Sequence, residues 1–419
     1  IAWVALIPLL WGREKWGRGS FSYYFGFAWL WMLGFHAWIW ELNEFSTPFS
    51  ILCLWLGMAA AYALFYAVGL YLFDRYIDSP HLSPVFPIFF ASAWVLIEWI
   101  KSAGVFGNPA ATIAHSQILF PWVSNLASIA GLPLISFWLV LVNATIFMLM
   151  RGPEQRRSLS LAITGLSVLL LSLGGWQYYL ASQGGSGEWV SIVQGNHAQS
   201  DKLNSSKWTQ IENDYLAMLH AIPESTSLVL GPETVIPKTF SKSKRWERRL
   251  QALSDQQRQL LLFGGVSSRD EHYYNSVYAF RPAQRLSRVY DKQQLMPFGE
   301  YTPGRKYLKS TMLENLLPDG AEFSPGKPMP LVEWGDQKIG LGICLESLYP
   351  DHFIQLRKDG ATILAVLSNH AWFAASSAAE KHLAMSRFRA IETGLPLLFS
   401  SNLGIAAVID ANGNMAQYS

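Results

Sequence analysis

Residues 338–347 read Lys338-Ile-Gly-Leu-Gly-Ile-Cys-Leu-Glu-Ser347, an apolar run that ends on a cysteine and carries a carboxylate two residues later. The run predicts a buried strand that closes at Cys344. The chain's other cysteine, Cys53, lies in the apolar stretch 51–56. That stretch is apolar enough to be inside a membrane, so we expect no disulfide with Cys344. Most isolated cysteines are buried core residues, and the neighbours of Cys344 must therefore decide its role.

The composition indicates a membrane protein. The 419 residues are 51% hydrophobic and only 15% charged, and the mean hydropathy is +0.17, which is too apolar for an ordinary soluble enzyme. The long uncharged runs lie in the first half. We therefore expect a polytopic helical membrane domain over 1–183 and an α/β domain over 186–419. The net charge of +2 gives no indication of a nucleic-acid partner.

Five apolar runs are close to the length of about 20 residues that a helix needs to cross a bilayer. They are 21–40, 50–73, 85–100, 131–150 and 158–180, and residues 1–11 form a partial sixth. Alternate loops are rich in Lys and Arg, whereas the intervening loops 41–49 and 101–130 contain Lys101 and no other Lys or Arg. Because basic loops stay in the cytoplasm, the second domain is predicted to lie outside it. The chain starts without Met and stops after a strand and turn, so we expect a further span before it and a strand and span after it.

One ionisable residue inside the predicted spans is informative. Glu98 lies in Trp94-Val-Leu-Ile-Glu-Trp-Ile100, and a carboxyl group at bilayer depth usually faces protein or water. Two interpretations stay open, a group that lines a substrate cavity and one that supports local helix contacts. The following loop, 104–117, has Gly and Pro breaks between apolar residues, which predicts a re-entrant segment that admits a lipid.

The second half alternates predicted strands with helices, which is typical of an α/β or mixed sandwich. Three polar residues stand where a predicted strand ends: Glu233, Lys292 and Cys344. Loops at strand ends commonly carry catalytic groups. A thiol nucleophile, a carboxylate that takes its proton and an ammonium that stabilises an oxyanion form a complete set for acyl transfer. Each residue alone is a weak signal, because a single Glu or Lys is usually a surface charge.

The motifs around these residues resemble those of the nitrilase superfamily. They read Gly231-Pro-Glu-Thr-Val-Ile-Pro237, Tyr290-Asp-Lys-Gln-Gln-Leu-Met-Pro-Phe-Gly-Glu-Tyr-Thr-Pro303 and Gly342-Ile-Cys-Leu-Glu346. Together with the apolar first half, and over essentially the whole chain, the sequence resembles the bacterial apolipoprotein N-acyltransferases, a family with a nitrilase-like periplasmic domain. Residues 192–196, 368–373 and 382–392 add to this resemblance.

The resemblance implies a four-layer αββα sandwich attached to a helical membrane domain in the bacterial inner membrane. Cys344 would be the nucleophile, Glu233 the general base and Lys292 the oxyanion-stabilising cation, with Glu300 and Glu346 as supporting carboxylates. The implied partners are a phospholipid acyl donor and a diacylated apolipoprotein acceptor, used in turn through a thioester. No cofactor and no metal are implied, and we expect a monomer.

Further residues are candidates for substrate binding: Glu98, Leu345, Asn369, Trp372 and Phe373. For Trp372 and Phe373, plain core packing is an equally good interpretation. The chain departs from the family pattern at Leu345, where an aromatic is usual, at His370 and Ala374 in the Asn-Asp-Trp-Phe-Gly-like motif, at 108–110 near the lipid-facing loop, and at 402–404. These departures spare the three catalytic candidates and affect donor or acceptor specificity.

Three alternatives stay open. The first is a membrane acyltransferase or amidase that uses another amine or water as acceptor. The second is an inactive lipid- or lipopeptide-binding protein with the same fold. The third is a Cys-His hydrolase that uses His352, His370 or His382, although such enzymes normally place the cysteine at a helix N-terminus rather than at the end of a strand.

Overall fold

The structure is a computed structural model that describes residues 1–16, 19–44, 46–77, 85–104, 107–151, 156–183, 188–239, 244–305, 322–373 and 376–418. The contacts between Cα atoms divide the chain into two compact units, Ile1–Gln183 and Gly184–Ser419. The departure expected at Ala374 lies outside the described residues.

The first unit is helical. Its α-helices are α1 (Ile7–Lys15), α2 (Phe21–Phe35), α3 (Pro48–Tyr76), α4 (Phe86–Ser102), α5 (Pro121–Ser124), α6 (Ala127–Arg151) and α7 (Arg156–Ala181), with 3-10 helices at Ala37–Glu44 and Ile113–Gln117. Helix α3 begins where the Thr47 side chain accepts the backbone N–H of Ser50, with Pro48 as the first helical residue. Helix α6 is kinked at Gly131, which has a φ of +69°.

Among the residues that the structure describes, three helices are long and apolar enough to cross a membrane: Pro48–Tyr76, Ala127–Met150 and Ser160–Ala181. They cover the runs expected at 50–73, 131–150 and 158–180. The other two expected runs form shorter helices, with 15 residues in α2 and 17 in α4. Helix α2 ends at Phe35 rather than near 40, because the chain continues as the 3-10 helix Ala37–Glu44. The number of spans stays a prediction.

The second unit contains five α-helices and eleven strands in its described part. The helices are α8 (Gln199–Leu203), α9 (Trp208–His220), α10 (Lys244–Gln257), α11 (Pro350–Lys358) and α12 (Ala378–Thr393). The strands are β1 (Val190–Ile192), β2 (Leu228–Leu230), β3 (Leu260–Arg269), β4 (His272–Phe280), β5 (Ser287–Asp291), β6 (Val332–Trp334), β7 (Gln337–Ile343), β8 (Ile363–Ser368), β9 (Leu397–Ser401), β10 (Ala407–Ile409) and β11 (Met415–Tyr418). The hairpin expected to turn at 334–337 is β6–β7.

The strands form two mixed sheets, in the orders β1-β2-β3-β4-β5 and β11-β10-β9-β8-β7-β6. In the first sheet β1, β2 and β3 are parallel, and β4 runs antiparallel to both β3 and β5. Strand β5 therefore points in the same direction as β2. In the second sheet β7, β8 and β9 are parallel, with antiparallel strands on both sides. The carboxyl ends of the parallel strands within each sheet therefore share an edge.

The buried residues of neighbouring strands alternate between two cores, as the period of a strand requires. Leu228 and Leu230 of β2 contact the core that also holds Ile339 and Leu341 of β7, so the two sheets pack face to face. Val229, on the opposite face of β2, packs with residues of α9 and α10. A third core joins α11 and α12 to the outer face of the second sheet. The layers thus run helix, sheet, sheet, helix, and the predicted αββα sandwich is confirmed.

Candidate active site

The three catalytic candidates follow strand ends. Glu233 lies three residues after β2, Lys292 directly follows β5, and Cys344 directly follows β7. Strands β2 and β5 end at the same edge of the first sheet. The backbone N–H of Glu233 donates to the carbonyl oxygen of Ser368, at the end of β8 in the second sheet, over 3.2 Å. The two sheets are therefore joined beside the candidate site.

Lys292 lies between two carboxylates. Its side chain is 2% exposed, and its Nζ lies 2.9 Å from Oε2 of Glu300 and 3.6 Å from Oε1 of Glu233. The Asn275 amide joins the same two carboxylates, because its Nδ2 donates to Glu233 Oε1 at 2.7 Å and to Glu300 Oε1 at 3.0 Å. The backbone N–H of Met296 donates to Glu300 Oε2. A buried network therefore fixes the ammonium and both carboxylates.

Glycine is required next to Glu233. A Cβ atom on Gly264 of β3 would lie 2.6 Å from the carbonyl oxygen of Pro232 and 2.7 Å from the Cα of Glu233. Real Cβ atoms do not approach backbone so closely, so a side chain at Gly264 would displace the loop that carries the carboxylate. Gly264 thus lets the Glu233 loop lie against the sheet.

Cys344 has an unusual backbone conformation. Its φ is +50°, a left-handed conformation that costs a non-glycine residue about 1–3 kcal/mol. It joins β7 to the 3-10 helix Cys344–Leu348. The Cys344 carbonyl oxygen accepts from Ser347 Oγ at 3.0 Å and lies 3.1 Å from His382 Nε2. Strain of this kind often marks a functional residue, and these contacts hold the turn that presents the thiol.

The electrostatics of the site favour a thiol that is protonated at rest. Burial raises the pKa of Cys344 to about 12, with Glu233 acting in the same direction and Lys292 opposing it. Burial also raises the pKa of Glu233, against the opposing effect of Lys292. For Lys292, burial alone would lower the pKa, but the charges of Glu300 and Glu233 outweigh it and raise the pKa above its usual range. The site therefore holds a cation, a carboxylate with raised proton affinity and a neutral nucleophile.

Glu346 joins the Cys344 turn to the Lys292 loop. This side chain is fully buried. Its Oε2 accepts the backbone N–H of Ile343 at 2.7 Å, and its Oε1 accepts those of Gln293 at 2.6 Å and Gln294 at 3.0 Å. The Tyr290 hydroxyl lies 2.8 Å from both carboxylate oxygens. One carboxylate thereby fixes the residues that flank the nucleophile and those that follow the lysine.

We expect Glu346→Gln to lower the free energy of unfolding by about 2 kcal/mol, because the amide NH2 of glutamine must meet a backbone N–H that now donates to a carboxylate. The thermal melting temperature of the detergent-solubilised chain measures this effect. Glu333→Gln is the matched control, since Glu333 is exposed on β6 and should change the free energy by less than about 0.5 kcal/mol. Equal melting temperatures for the two variants would contradict the role given to Glu346.

The histidines of the Cys-His alternative contact groups other than the thiol in the described part of the chain. His382 Nε2 lies 2.7 Å from Ser347 Oγ, its Nδ1 lies 2.7 Å from His370 Nε2, and His352 Nε2 lies 2.8 Å from the carbonyl oxygen of Leu341. Burial lowers the pKa of His382 to about 4 and the pKa of His370 well below its usual value. Both rings are therefore neutral near pH 7. His382 contacts the carbonyl oxygen of Cys344, and His370 contacts His382.

The remaining candidates have mixed environments. Glu98 is buried in the first unit, where its Oε1 accepts from Trp94 Nε1 at 3.1 Å and from the backbone N–H of Ile113 at 2.9 Å; these contacts match the structural interpretation of this residue. Asn369 is buried and bonded within the second unit. Leu345, Trp372 and Phe373 are partly exposed. Their roles in binding substrate stay predictions.

Two members of this network, Asn275 and Tyr290, are not predicted as site residues from the sequence. Asn275 and Tyr290 lie inside strands β4 and β5, where their polar atoms look like ordinary strand positions. One signal was present for Tyr290, because it opens the long motif that contains Lys292 and Glu300. Among the residues that the structure describes, no group of three or more His, Cys, Asp or Glu side chains could hold a metal ion.

Comparison with known proteins relates both halves of the chain to one family. Residues 187–418 match the model of the carbon-nitrogen hydrolase family, and residues 1–145 match that of the apolipoprotein N-acyltransferase N-terminal domain. An apolipoprotein N-acyltransferase of Allorhizobium ampelinum is 30% identical over 96% of this chain and 78% of its own length. That of Geobacter metallireducens is 28% identical over 99% of this chain and 82% of its own.

Among solved structures, a carbon-nitrogen hydrolase from Helicobacter pylori G27 aligns with a TM-score of 0.42 at 19% identity, over 55% of this chain and 84% of its own. The family model of the second unit covers more than half of the chain, and the full-length relatives span both units. The resemblance found in the motifs is thereby confirmed. The chain belongs to the apolipoprotein N-acyltransferase family, whose second domain is a carbon-nitrogen hydrolase.

Proposed function

We propose that this chain moves an acyl chain from a phospholipid to the α-amino group of the diacylglyceryl-cysteine at the N-terminus of an apolipoprotein, through a thioester on Cys344. The observation that carries the proposal is the position of the Lys292 ammonium, 2.9 Å from Glu300 and 3.6 Å from Glu233. The pKa of the nearby Cys344 thiol is raised by Glu233 and lowered by Lys292. Membership of the family supports the substrate classes.

In the first half-reaction Glu233 takes the proton of the Cys344 thiol while the sulfur attacks the ester carbonyl carbon of the phospholipid. The pKa of Cys344, raised to about 12 by burial, means that this proton must leave as the attack occurs. The carbonyl oxygen becomes an oxyanion, which the Lys292 ammonium stabilises. The intermediate collapses, the ester C–O bond breaks, and the leaving oxygen takes the proton from Glu233. The products are an acyl thioester and a lysophospholipid.

In the second half-reaction the α-amine of the acceptor attacks the thioester carbon. Glu233 takes a proton from the amine nitrogen, and Lys292 again stabilises the oxyanion. The C–S bond breaks, the amide forms, and the sulfur takes the proton back. A thioester suits this exchange because it stays reactive toward amines. The site is thus used twice with one base and one cation.

We infer that the reaction takes place on the outer side of the bacterial inner membrane, with the chain acting as a monomer. Three helices long and apolar enough to cross a bilayer support attachment to a membrane. The basic residues in alternate loops of the first unit support a periplasmic second domain. Both substrates carry acyl chains, so a membrane-attached enzyme meets them where they reside.

Mass spectrometry of the intact purified chain tests the proposal. Incubation with phospholipid should add the mass of one acyl chain at Cys344, and a diacylated lipopeptide should remove that mass and appear as a triacylated product. Loss of the adduct with release of free fatty acid alone would support transfer to water. Loss to a different added amine would indicate another acceptor, and the absence of any adduct would indicate an inactive binding protein.

A further inference from the structure

Lys202 is a buried cation that the proposed mechanism does not use. It lies in α8, its residue is 1% exposed, and its Nζ has no hydrogen-bond partner in the part of the chain that the structure describes. A buried ammonium without compensation costs several kcal/mol, on the order of the desolvation of one ion. Such a cost is met by nearby negative charge or by loss of the proton.

Helix α8 is held close to the strand ends of the candidate site. Gln199 of α8 accepts a hydrogen bond through Oε1 from Asn369 Nδ2 at 2.9 Å. Asn402 Nδ2 donates to Asn369 Oδ1 at 3.1 Å and to the carbonyl oxygen of His197 at 2.8 Å. Asn369 directly follows Ser368, whose carbonyl oxygen accepts the backbone N–H of Glu233. The end of β8 thus binds the Glu233 loop and also fixes the segment that leads to Lys202.

With both carboxylates ionised and Lys202 protonated, the charges of the site balance. Glu233 and Glu300 bring two negative charges and Lys292 one positive charge, so that set alone would leave one buried negative charge. The ammonium of Lys202 makes the sum zero. Glu233 is the carboxylate farther from Lys292, because its Oε1 lies 3.6 Å from Nζ whereas Oε2 of Glu300 lies 2.9 Å from it, so Glu233 has more to gain from a second cation.

We propose that Lys202 is a positioning residue that keeps Glu233 ionised, so that Glu233 can accept the proton of Cys344. The inference rests on the proposed role of Glu233 as the base. Lys202 touches neither the thiol nor the substrate in this scheme; its charge stabilises the carboxylate form of Glu233. Without that charge, a larger fraction of Glu233 carries a proton below neutral pH, and the first half-reaction slows there.

The pKa values of the groups around Lys202 agree with this role. Burial raises the pKa of Glu233, and Lys202 is among the charges that lower it, together with Lys292. Burial lowers the pKa of Lys202 itself to about 7, with Glu233 opposing that change. Lys202 is therefore charged below pH 7, and its charge there favours the ionised form of Glu233. His197, next to α8, has a pKa lowered by burial and adds no charge near neutrality.

The remaining titratable groups that face Glu233 are Lys292, Glu300 and the Cys344 thiol, which is neutral. All three are present in wild type and in every Lys202 variant. A difference in pH dependence between wild type and variant thus reports the charge at position 202. Asp214, which lies 3.8 Å from His197 and is 45% exposed at its side chain, is screened by solvent and serves as no alternative source of the effect.

The test is the pH profile of the single-turnover rate of thioester formation on the full chain in detergent with phospholipid. For Lys202→Met, we expect the acidic limb to move up by about one pH unit, so that the rate on that limb falls about tenfold while the rate at pH 9 stays within about twofold of wild type. Lys202→Arg, which keeps the charge, should retain the wild-type limb. Lys207→Met is the matched control, because Lys207 is exposed on the neighbouring 3-10 helix.

The outcomes separate this inference from the proposed function. If wild type forms no thioester, the proposed function is wrong. If wild type forms it and the Lys202→Met profile superimposes on that of wild type, only the role of Lys202 is overturned. A uniform loss of rate at every pH, in a variant that keeps the wild-type melting temperature, also overturns it, because the expected loss is confined to the acidic limb. Melting temperatures of the variants, together with Lys202→Gln as a second neutral substitution, identify that case.

Discussion

Replacing Cys344 with Ser or Ala is expected to abolish the acyl adduct on the chain, with a loss of at least about 1,000-fold in the rate of its formation. Alanine has no nucleophile. Serine places a hydroxyl in the same left-handed turn, but its proton is far harder to remove than that of a thiol whose pKa burial already raises to about 12. Glu233 cannot make up that difference. Intact-protein mass spectrometry after incubation with phospholipid measures the result.

Cys53→Ser supplies the control. Cys53 is the chain's other cysteine, lies in α3 and is exposed, so the same chemical change there should leave adduct formation unchanged. An adduct that persists in Cys344→Ala and disappears in Cys53→Ser would place the thioester on Cys53 and contradict the assignment of Cys344. Wild-type melting temperatures for both Cys344 variants would show that the loss is chemical rather than structural.

The sequence predicts the positions of the charged groups well because they follow strand ends. Apolar runs in the sequence predict β2 and β7, and within each sheet the parallel strands bring their carboxyl ends to one edge. Glu233, Lys292 and Cys344 occupy such ends. The strand and helix patterns predict only an α/β or mixed sandwich, and the four αββα layers are implied by the family resemblance. The contact of Lys292 with both Glu233 and Glu300 agrees with that expectation.

The sequence does not predict how the site is held together. The φ of +50° at Cys344 has no local signal, because cysteine has no preference for the left-handed region and the turn is imposed by contacts from Ser347 and His382. In the sequence Glu346 is expected to be a supporting active-site carboxylate, and nothing there indicates that its oxygens accept from three backbone N–H groups. The contacts of Glu346 with Gln293 and Gln294 join segments more than 50 residues apart, which no local pattern can specify.

Lys202 shows the same limit for a charge. It stands in Gln199-Ser-Asp-Lys-Leu203, a polar segment that predicts a solvated surface helix. The structure instead buries it to 1% exposure. Burial depends on where α8 docks, and that is decided by the Gln199 contact with Asn369, 170 residues away. Isolated charges can therefore be placed from sequence only where a strand end fixes them.

Replacing Lys292 with Met is expected to slow thioester formation by at least about 100-fold, the loss typical of a missing oxyanion-stabilising group. Two effects act in the same direction. The oxyanion loses its cation, and Glu233 and Glu300 lose the charge that lies between them, so the already raised pKa of Glu233 rises further. Lys292→Arg should not restore the rate, because the planar guanidinium cannot occupy the point position of Nζ between the two carboxylates.

The two effects can be separated by pH. A higher pKa of Glu233 is overcome as pH rises, whereas the missing oxyanion cation is not. The Lys292→Met rate should therefore recover only in part toward pH 9 and stay well below wild type, unlike the nearly full recovery expected for Lys202→Met. Lys244→Met, at a lysine whose side chain is 64% exposed, controls for loss of a positive charge. Full recovery of the Lys292→Met rate at high pH would mean that Lys292 only lowers the pKa of Glu233 and that another donor stabilises the oxyanion.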